Sequence, residues 1–433
     1  RYRDFVGKEL IAPLTGRRIP VIADPYVERD FGTGALKITP AHDANDYQVG
    51  VRHGLPMPVA FDDSARIRTS ELLEGLSPDA VERLKGFEGL DRKEARDRFA
   101  AELEADGLLE KTEDHAVSLV VSDRSGETIE PLLSEQWFCD QAALAAPVIE
   151  AVRNGEVKFH PERYDRIFLD WMENLREWCV SRQLWWGHRI PVYYTADGDA
   201  FPGLSWEDAQ ARAGDKTIVR QDDDVLDTWF SSGLWPFATL GWPLETDDLK
   251  EFYPTSVLVT DRNIINLWVA RMLMTGYDAM GVKPFSDVMI YATVLTEDGR
   301  RMSKSLGTGV DPIAVIEEVG ADALRWFLAS QTGENQDLRY RAASVVESRN
   351  WANKVWNSAR FIVASAASGG VSDPARVGPS EPVDRWLLAR LTETESKVRK
   401  AYDEFLFLDA CAALERSESG IARQATTRPA GLR

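Results

Sequence analysis

The 433-residue chain is 44% hydrophobic and 28% charged, with 14 Trp and 17 Phe, which excludes a disordered or fibrous protein and is too much chain for one small module. Its 51 Lys and Arg against 70 Asp and Glu leave a net charge of −19, so a surface basic everywhere is excluded and any nucleic-acid contact has to be local. From Gln331 onward there are 15 basic against 13 acidic side chains, which concentrates the negative charge in the first 330 residues.

In chain order, Val21-Ile22 reads as a short strand, Gly32-Thr33-Gly34 as a turn, Ala35–Thr39 as a strand and Pro40 as the start of a helix. Leu72–Leu84 and Arg92–Leu109 have helical apolar spacing, the second with a stop signal at Asp106-Gly107. Val117–Val121 reads as a strand followed by a turn at Ser125-Gly126. The texture changes near residue 130: a helix Gln141–Arg153, a Trp-dense stretch Trp171–Tyr194 and an acidic loop Asp222–Asp224 follow. Residues 256–330 alternate between strand and helix, with strands Ser256–Val259 and Asp287–Thr293 and helices Ile264–Met280, Asp311–Val319 and Asp322–Ser330. That alternation predicts a parallel sheet covered by helices. Beyond 340 the pattern is helical only, Val345–Ala364 and Asp384–Leu406, joined by a Gly/Ser/Pro linker at Ser368–Pro382.

Cys139, Cys179 and Cys411 form no C-x-x-C pair, which fits neither a disulfide framework nor a cysteine zinc site and suits a reducing cytoplasm. The five histidines, at 42, 53, 115, 160 and 188, have no metal-ligand spacing, so no bound metal is expected. No apolar run approaches ~18 residues, so no membrane partner is expected. The opening Arg1-Tyr2-Arg3-Asp4 has neither a start Met nor a signal-peptide core, and a piece of a longer chain is expected.

The strongest local signal is Arg301-Met302-Ser303-Lys304-Ser305-Leu306-Gly307, just after the hairpin-like Thr296-Glu297-Asp298-Gly299. Two cations three residues apart among small hydroxyl residues make a basic loop able to close over a polyphosphate, and a lysine there stabilises charge on a departing pyrophosphate. Taken alone, the loop also reads as a solvated turn. The order of its residues resembles the Lys-Met-Ser-Lys-Ser signature of class I aminoacyl-tRNA synthetases, with Lys304 at the position of the catalytic lysine. Trp178-Cys179-Val180-Ser181-Arg182-Gln183 through Pro191 and Asp224-Val225-Leu226-Asp227-Thr228-Trp229-Phe230 through Phe237 are similar to the valine-specific branch of that family. Gly32-Thr33-Gly34-Ala35-Leu36-Lys37-Ile38-Thr39-Pro40 through Asp46 resembles its editing domain.

The resemblance covers residues 1 to about 415. It implies an α/β fold: the second half of a Rossmann-like catalytic domain (131–340, with its connecting region), preceded by the C-terminal part of an α+β editing domain (1–130) and followed by the start of an anticodon-binding helical bundle (341–433). It implies ATP as a substrate, accompanied by Mg, with valine and its tRNA as partners and a monomeric enzyme. Arg301, Met302, Ser303, Lys304 and Ser305 would face the ATP phosphates, with Lys304 catalytic. Trp229 would wall the valine pocket, with a core tryptophan as the alternative, and Ile264 would line it. Lys37, Thr39, Asp43 and Asp46 would line the editing pocket for threonyl-tRNA, threonine being nearly isosteric with valine. Asp43 and Asp46 stand three apart at a helix start and so share a face, although Asp43 also suits a helix cap.

The chain departs from the family pattern in places. His-x-Gly-His is absent; Asp261 stands where Gly is usual, Asn263 where Asp is usual, and Thr308 where Asn is usual. Residues 415–433 replace an expected Trp- and Tyr-rich helix, which reads as a truncation or frame error. These departures keep open a stand-alone deacylase and a non-catalytic tRNA-binding protein.

Overall fold

The computed structural model describes residues 2–114, 116, 118–122, 125–303, 307–333, 337–368 and 381–426, with side chains to 417. Lys304 and Ser305, His115, Val117 and most of the expected linker lie outside the described residues. The chain falls into two compact units, residues 1–135 and 136–433.

The first unit opens with the antiparallel pair β1 (Glu9–Ile11) and β2 (Arg18–Pro20); the expected strand at Val21-Ile22 is displaced to this earlier pair. Ala35–Thr39 forms no strand, and at its end the Asp46 carboxylate takes the Thr39 N–H at 2.7 Å. The following helix starts not at Pro40 but at α1 (Ala44–His53). Asp43 supplies the start: its Oδ1 accepts the N–H of Asn45 at 2.8 Å and of Asp46 at 2.9 Å, satisfying two of the donors a helix leaves open. The expected helix Leu72–Leu84 is interrupted. A short 3-10 turn Ser70–Leu72 precedes α2 (Pro78–Lys85), where the Ser77 cap and Pro78 form a second, stronger start. α3 (Arg92–Ala105) follows. In place of a strand near 120, Val121 bridges Thr128 across a tight turn at Ser125-Gly126.

The second unit contains β3 (Phe138–Cys139), α4 (Ala142–Arg153), β4 (Lys158–His160), α5 (Arg163–Glu173), β5 (Trp178–Cys179) and β6 (Ser181–Arg182). A small antiparallel sheet of β7 (Val192–Thr195), β8 (Ala200–Pro202) and β9 (Ile218–Gln221) packs Tyr193 on α6 (Trp206–Ala213). Then come β10 (Val225–Leu226), α7 (Thr228–Gly233), α8 (Trp235–Ala238), α9 (Asp247–Phe252) and β11 (Thr255–Asp261). A 3-10 turn Arg262–Ile264 and a π-helical turn Ile265–Val269 lead into α10 (Ala270–Met280). β12 (Phe285–Tyr291) lies between β11 and β4, parallel to both, so the alternation of strand and helix has produced the parallel sheet it implies. Its core joins Val148, Phe159, Phe168, Met172, Met272, Leu273, Phe285 and Val288, each at most 2% exposed.

β13 (Val294–Leu295) pairs in parallel with β14 (Leu338–Arg339), and α11 (Pro312–Val319) and α12 (Ala321–Gln331) pack between them in sequence. Phe327, Leu338 and Val345 form their core. The chain then turns helical: α13 (Ala342–Ser368), α14 (Pro382–Asp403) and α15 (Phe407–Thr426). The sequence pattern missed α15, whose described side chains Ala410, Cys411 and Ala413 are buried.

Candidate functional site

In the first unit, three of the four candidate editing residues converge. Lys37 Nζ donates to Thr39 Oγ1 at 3.2 Å, and Thr39 Oγ1 donates to Asp46 Oδ2 at 3.2 Å. Gly50 makes this approach possible, since a Cβ there would stand 2.7 Å from Pro40 Cβ; its absence lets the segment ending at Pro40 lie against α1. Lys37 and Thr39 are exposed, while Asp46 is 8% exposed. Asp43 does not join them, because its carboxylate caps α1. His42 is structural: it contacts the Pro131 carbonyl through Nδ1 at 3.0 Å and accepts the Ala60 N–H through Nε2 at 2.9 Å.

In the second unit, the carboxyl ends of β11 and β12 meet the root of the basic loop, which is where an open α/β sheet binds its ligand. Asp261 ends β11; its Oδ1 accepts the Asn263 N–H at 2.7 Å and the Asn263 side-chain amide, and its Oδ2 accepts Thr293 Oγ1 at 3.2 Å. The two departures at 261 and 263 therefore satisfy one another. Arg262 pairs with Asp337 at 2.9 Å, tying the same turn to the start of β14. From β13 the chain makes the hairpin expected at Thr296–Gly299, with Leu295 bridging Arg301. Arg301 is exposed, and Met302 and Ser303 are half-buried. Ser303 N–H donates to Thr308 Oγ1 at 3.0 Å and Thr308 N–H to the Ser303 carbonyl at 3.2 Å, so Thr308 closes the neck of the loop.

Trp229 and Ile264, both half-buried, sit on neighbouring elements: Trp229 opens α7, and Ile264 ends the turn entering the π-helical segment against which α7 packs. α7 is held on the π-helical turn by Trp268 Nε1 donating to the Ser232 carbonyl at 3.1 Å, and on α10 by Thr275 Oγ1 donating to the Gly233 carbonyl at 2.7 Å. Beneath it lies Arg271, 6% exposed, over the Trp178 ring at 3.9 Å and hydrogen-bonded to Gln141 Oε1. Burial pushes its guanidinium pKa down to about 10, which leaves it charged at neutral pH. Asp222 braces the acidic loop by accepting Trp137 Nε1 at 2.8 Å and the Tyr194 hydroxyl at 2.7 Å. Burial opposes its ionisation, yet these donors hold its carboxyl below the ordinary value.

The model of class I tRNA synthetases for isoleucine, leucine, methionine and valine matches residues 76–341. The chain belongs to this family. A second model, the leucyl-tRNA synthetase editing domain, matches residues 4–104. The chain is 48% identical to the valine–tRNA ligase of Thermotoga maritima over 412 residues, and 45% identical to that of Clostridium acetobutylicum over 425. These matches cover 94% and 98% of the chain but 45% of each relative, so the chain spans less than half the length of the curated relatives it matches. Among solved structures, methionyl-tRNA synthetase of Mycobacterium tuberculosis with methionyl-adenylate aligns with a TM-score of 0.55 at 20% identity, over 71% of this chain and 56% of that one. A leucyl-tRNA synthetase–tRNA complex of Agrobacterium radiobacter gives 0.50 at 21%, over 58% and 37%. At such identity these two establish the fold of this chain, the expected α/β architecture, and nothing finer.

Sequence reasoning gave no role to Arg182, Asp227 and Arg271 around Trp229, and noted Thr308 only as a departure from the family pattern. An Asp directly before Thr228-Trp229-Phe230 was a readable cap signal; the partners of Arg271 and Arg182 had none.

Proposed function

We propose that this chain supplies the amino-acid-selecting and phosphate-facing part of a valine–tRNA ligase, together with a pocket that hydrolyses threonyl-tRNA. The reading is carried by the identity of 43–48% to eight valine–tRNA ligases across almost the whole chain. ATP and valine give valyl-adenylate and pyrophosphate, and the valyl group then passes to the terminal ribose of its tRNA. Lys304 stabilises the charge developing on the phosphates, on a loop whose neck Thr308 holds shut. Trp229 and Ile264 shape the valine pocket. Magnesium travels with ATP rather than in a protein cage. The enzyme acts as a monomer in the cytoplasm.

In editing, a bulky aliphatic pocket rejects threonine poorly, so hydrolysis supplies the missing discrimination. Asp46 anchors the substrate ammonium beside Lys37 and Thr39, and water attacks the ester. The test uses the product of the complete reading frame that contains this chain. Valine-dependent ATP–pyrophosphate exchange exceeding that with isoleucine, and hydrolysis of preformed threonyl-tRNA, are the expected results; exchange with no preference for valine overturns the assignment. A deacylase alone is the second reading, favoured by the assembly of Lys37, Thr39 and Asp46 within the first unit, and it predicts hydrolysis without exchange. A non-catalytic tRNA-binding protein, suggested by Asn263, predicts neither.

A further inference from the structure

Asp227 connects two parts of the second unit at the entrance to α7. Its Oδ1 accepts the Trp229 N–H at 2.7 Å and so starts the helix, while its Oδ2 accepts Arg182 Nη2. The other guanidinium nitrogen, Nη1, donates to the carbonyls of Cys179 at 2.9 Å and Ser181 at 2.8 Å. Arg182 and Asp227 arrive from the two strands of one ladder, β6 against β10, and the Asp227 N–H donates to the Val180 carbonyl at 2.7 Å. Asp227 is 6% exposed, and both of its carboxylate oxygens are taken up by these donors.

The two ends of α7 are anchored differently. The C-terminal end rests on the π-helical turn through Trp268 and on α10 through Thr275 and the close approach at Gly233, where a Cβ would stand 3.2 Å from Arg271 Cβ. The N-terminal end, which carries Trp229, is fixed by Asp227, and Asp227 by Arg182. We propose that Arg182 is a positioning residue for amino-acid selection: through Asp227 it sets the angle of α7 and hence the place of the Trp229 indole. This rests on Trp229 being the pocket wall. A wall measures chain length only while it is held still, and small displacements of a positioned group carry large kinetic penalties. The pair's bonds run to one another and to backbone groups, so its loss is expected to act on side-chain selection and to leave the ATP site alone.

The experiment measures exchange kinetics for valine and isoleucine in the product of the complete reading frame, for the parent, R182A, R182K and W229A, with unfolding midpoints alongside. R182A is expected to raise KM for valine about tenfold and to lower the valine-over-isoleucine ratio of kcat/KM about tenfold, within the range one methylene commands in an apolar pocket, with KM for ATP unchanged. R182K keeps a cation but not the fork that reaches three oxygens, and is expected to recover about half of the loss on a logarithmic axis; should R182A not fold, R182K alone decides. A lowered midpoint with an unchanged ratio in the folded variant makes Arg182 merely structural and overturns the proposal. A changed ratio in W229A but in neither Arg182 variant overturns the positioning role while sparing the pocket; an unchanged ratio in W229A removes the pocket reading and this inference with it.

Discussion

Asp43 and Asp46 stand three residues apart at one helix start, and their carboxylates have different partners. Asp43 accepts two backbone N–H groups of α1, whereas Asp46 accepts from Thr39. Asp43→Ala is expected to cost ~1 kcal/mol, the usual worth of such a cap, as a lowered unfolding midpoint with threonyl-tRNA hydrolysis retained. Asp46→Ala is expected to leave valine activation intact while threonyl-tRNA hydrolysis is lost; wild-type hydrolysis in a folded variant would reduce Asp46 to a structural acceptor. Asp24 makes a separate, pH-dependent statement. The Arg52 guanidinium donates to it through Nε at 3.1 Å and Nη2 at 2.9 Å, and with the Tyr26 N–H and His53 this holds its carboxyl well below the ordinary value of 3.8. A depressed acid contributes stability at neutral pH that is lost as pH falls below about 4 toward its folded value. The difference in melting temperature between the parent and Arg52→Ala is therefore expected to be largest at pH 7 and to shrink on acidification below pH 4; a gap independent of pH would contradict this.

Helix α7 and the neck of the basic loop are each held by a few specific contacts. At Gly233 an added Cβ would sit 3.2 Å from Arg271 Cβ and 3.4 Å from its backbone. These neighbours belong to a packed helix and cannot swing aside. Gly233→Ala gains up to ~1 kcal/mol of helix propensity, but overpacking of ~1–3 kcal/mol opposes it, and a net loss near 1 kcal/mol in urea unfolding is expected; a stabilised variant would show that α10 yields. Thr308→Ala removes the hydroxyl that accepts the Ser303 N–H at 3.0 Å. A hydrogen bond worth ~1 kcal/mol corresponds to about fivefold, so KM for ATP in the exchange assay is expected to rise by about that much, with Thr308→Ser restoring it. An equal effect of both variants would mean that the methyl, not the hydroxyl, matters.

The chain covers 45% of the length of its Thermotoga and Clostridium relatives, and a nucleotide site split between segments works only when both are positioned. The 433-residue chain assayed by itself is therefore expected to give no valine-dependent ATP–pyrophosphate exchange, and measurable exchange would show that its own residues suffice. Much of this molecule was determined within short windows of sequence. The parallel sheet followed from alternating strand and helix between 256 and 330, the hairpin at Thr296–Gly299 from its turn residues, and the family from the order of side chains around Lys304, because periodicity, turn chemistry and motif order act over a few residues. The same locality misled where two local signals competed, as at Pro40 against Asp43, or where strand-like residues formed no strand, as at Ala35–Thr39. Only the tertiary structure decided the pairings across long separations: Arg182 with Asp227, Arg262 with Asp337, Arg271 with Gln141. Buried Asp227 and Arg271 need partners, but which partner a side chain receives, buried or exposed as Arg262 is, depends on which elements the core draws together, and nothing in the neighbouring residues records that choice.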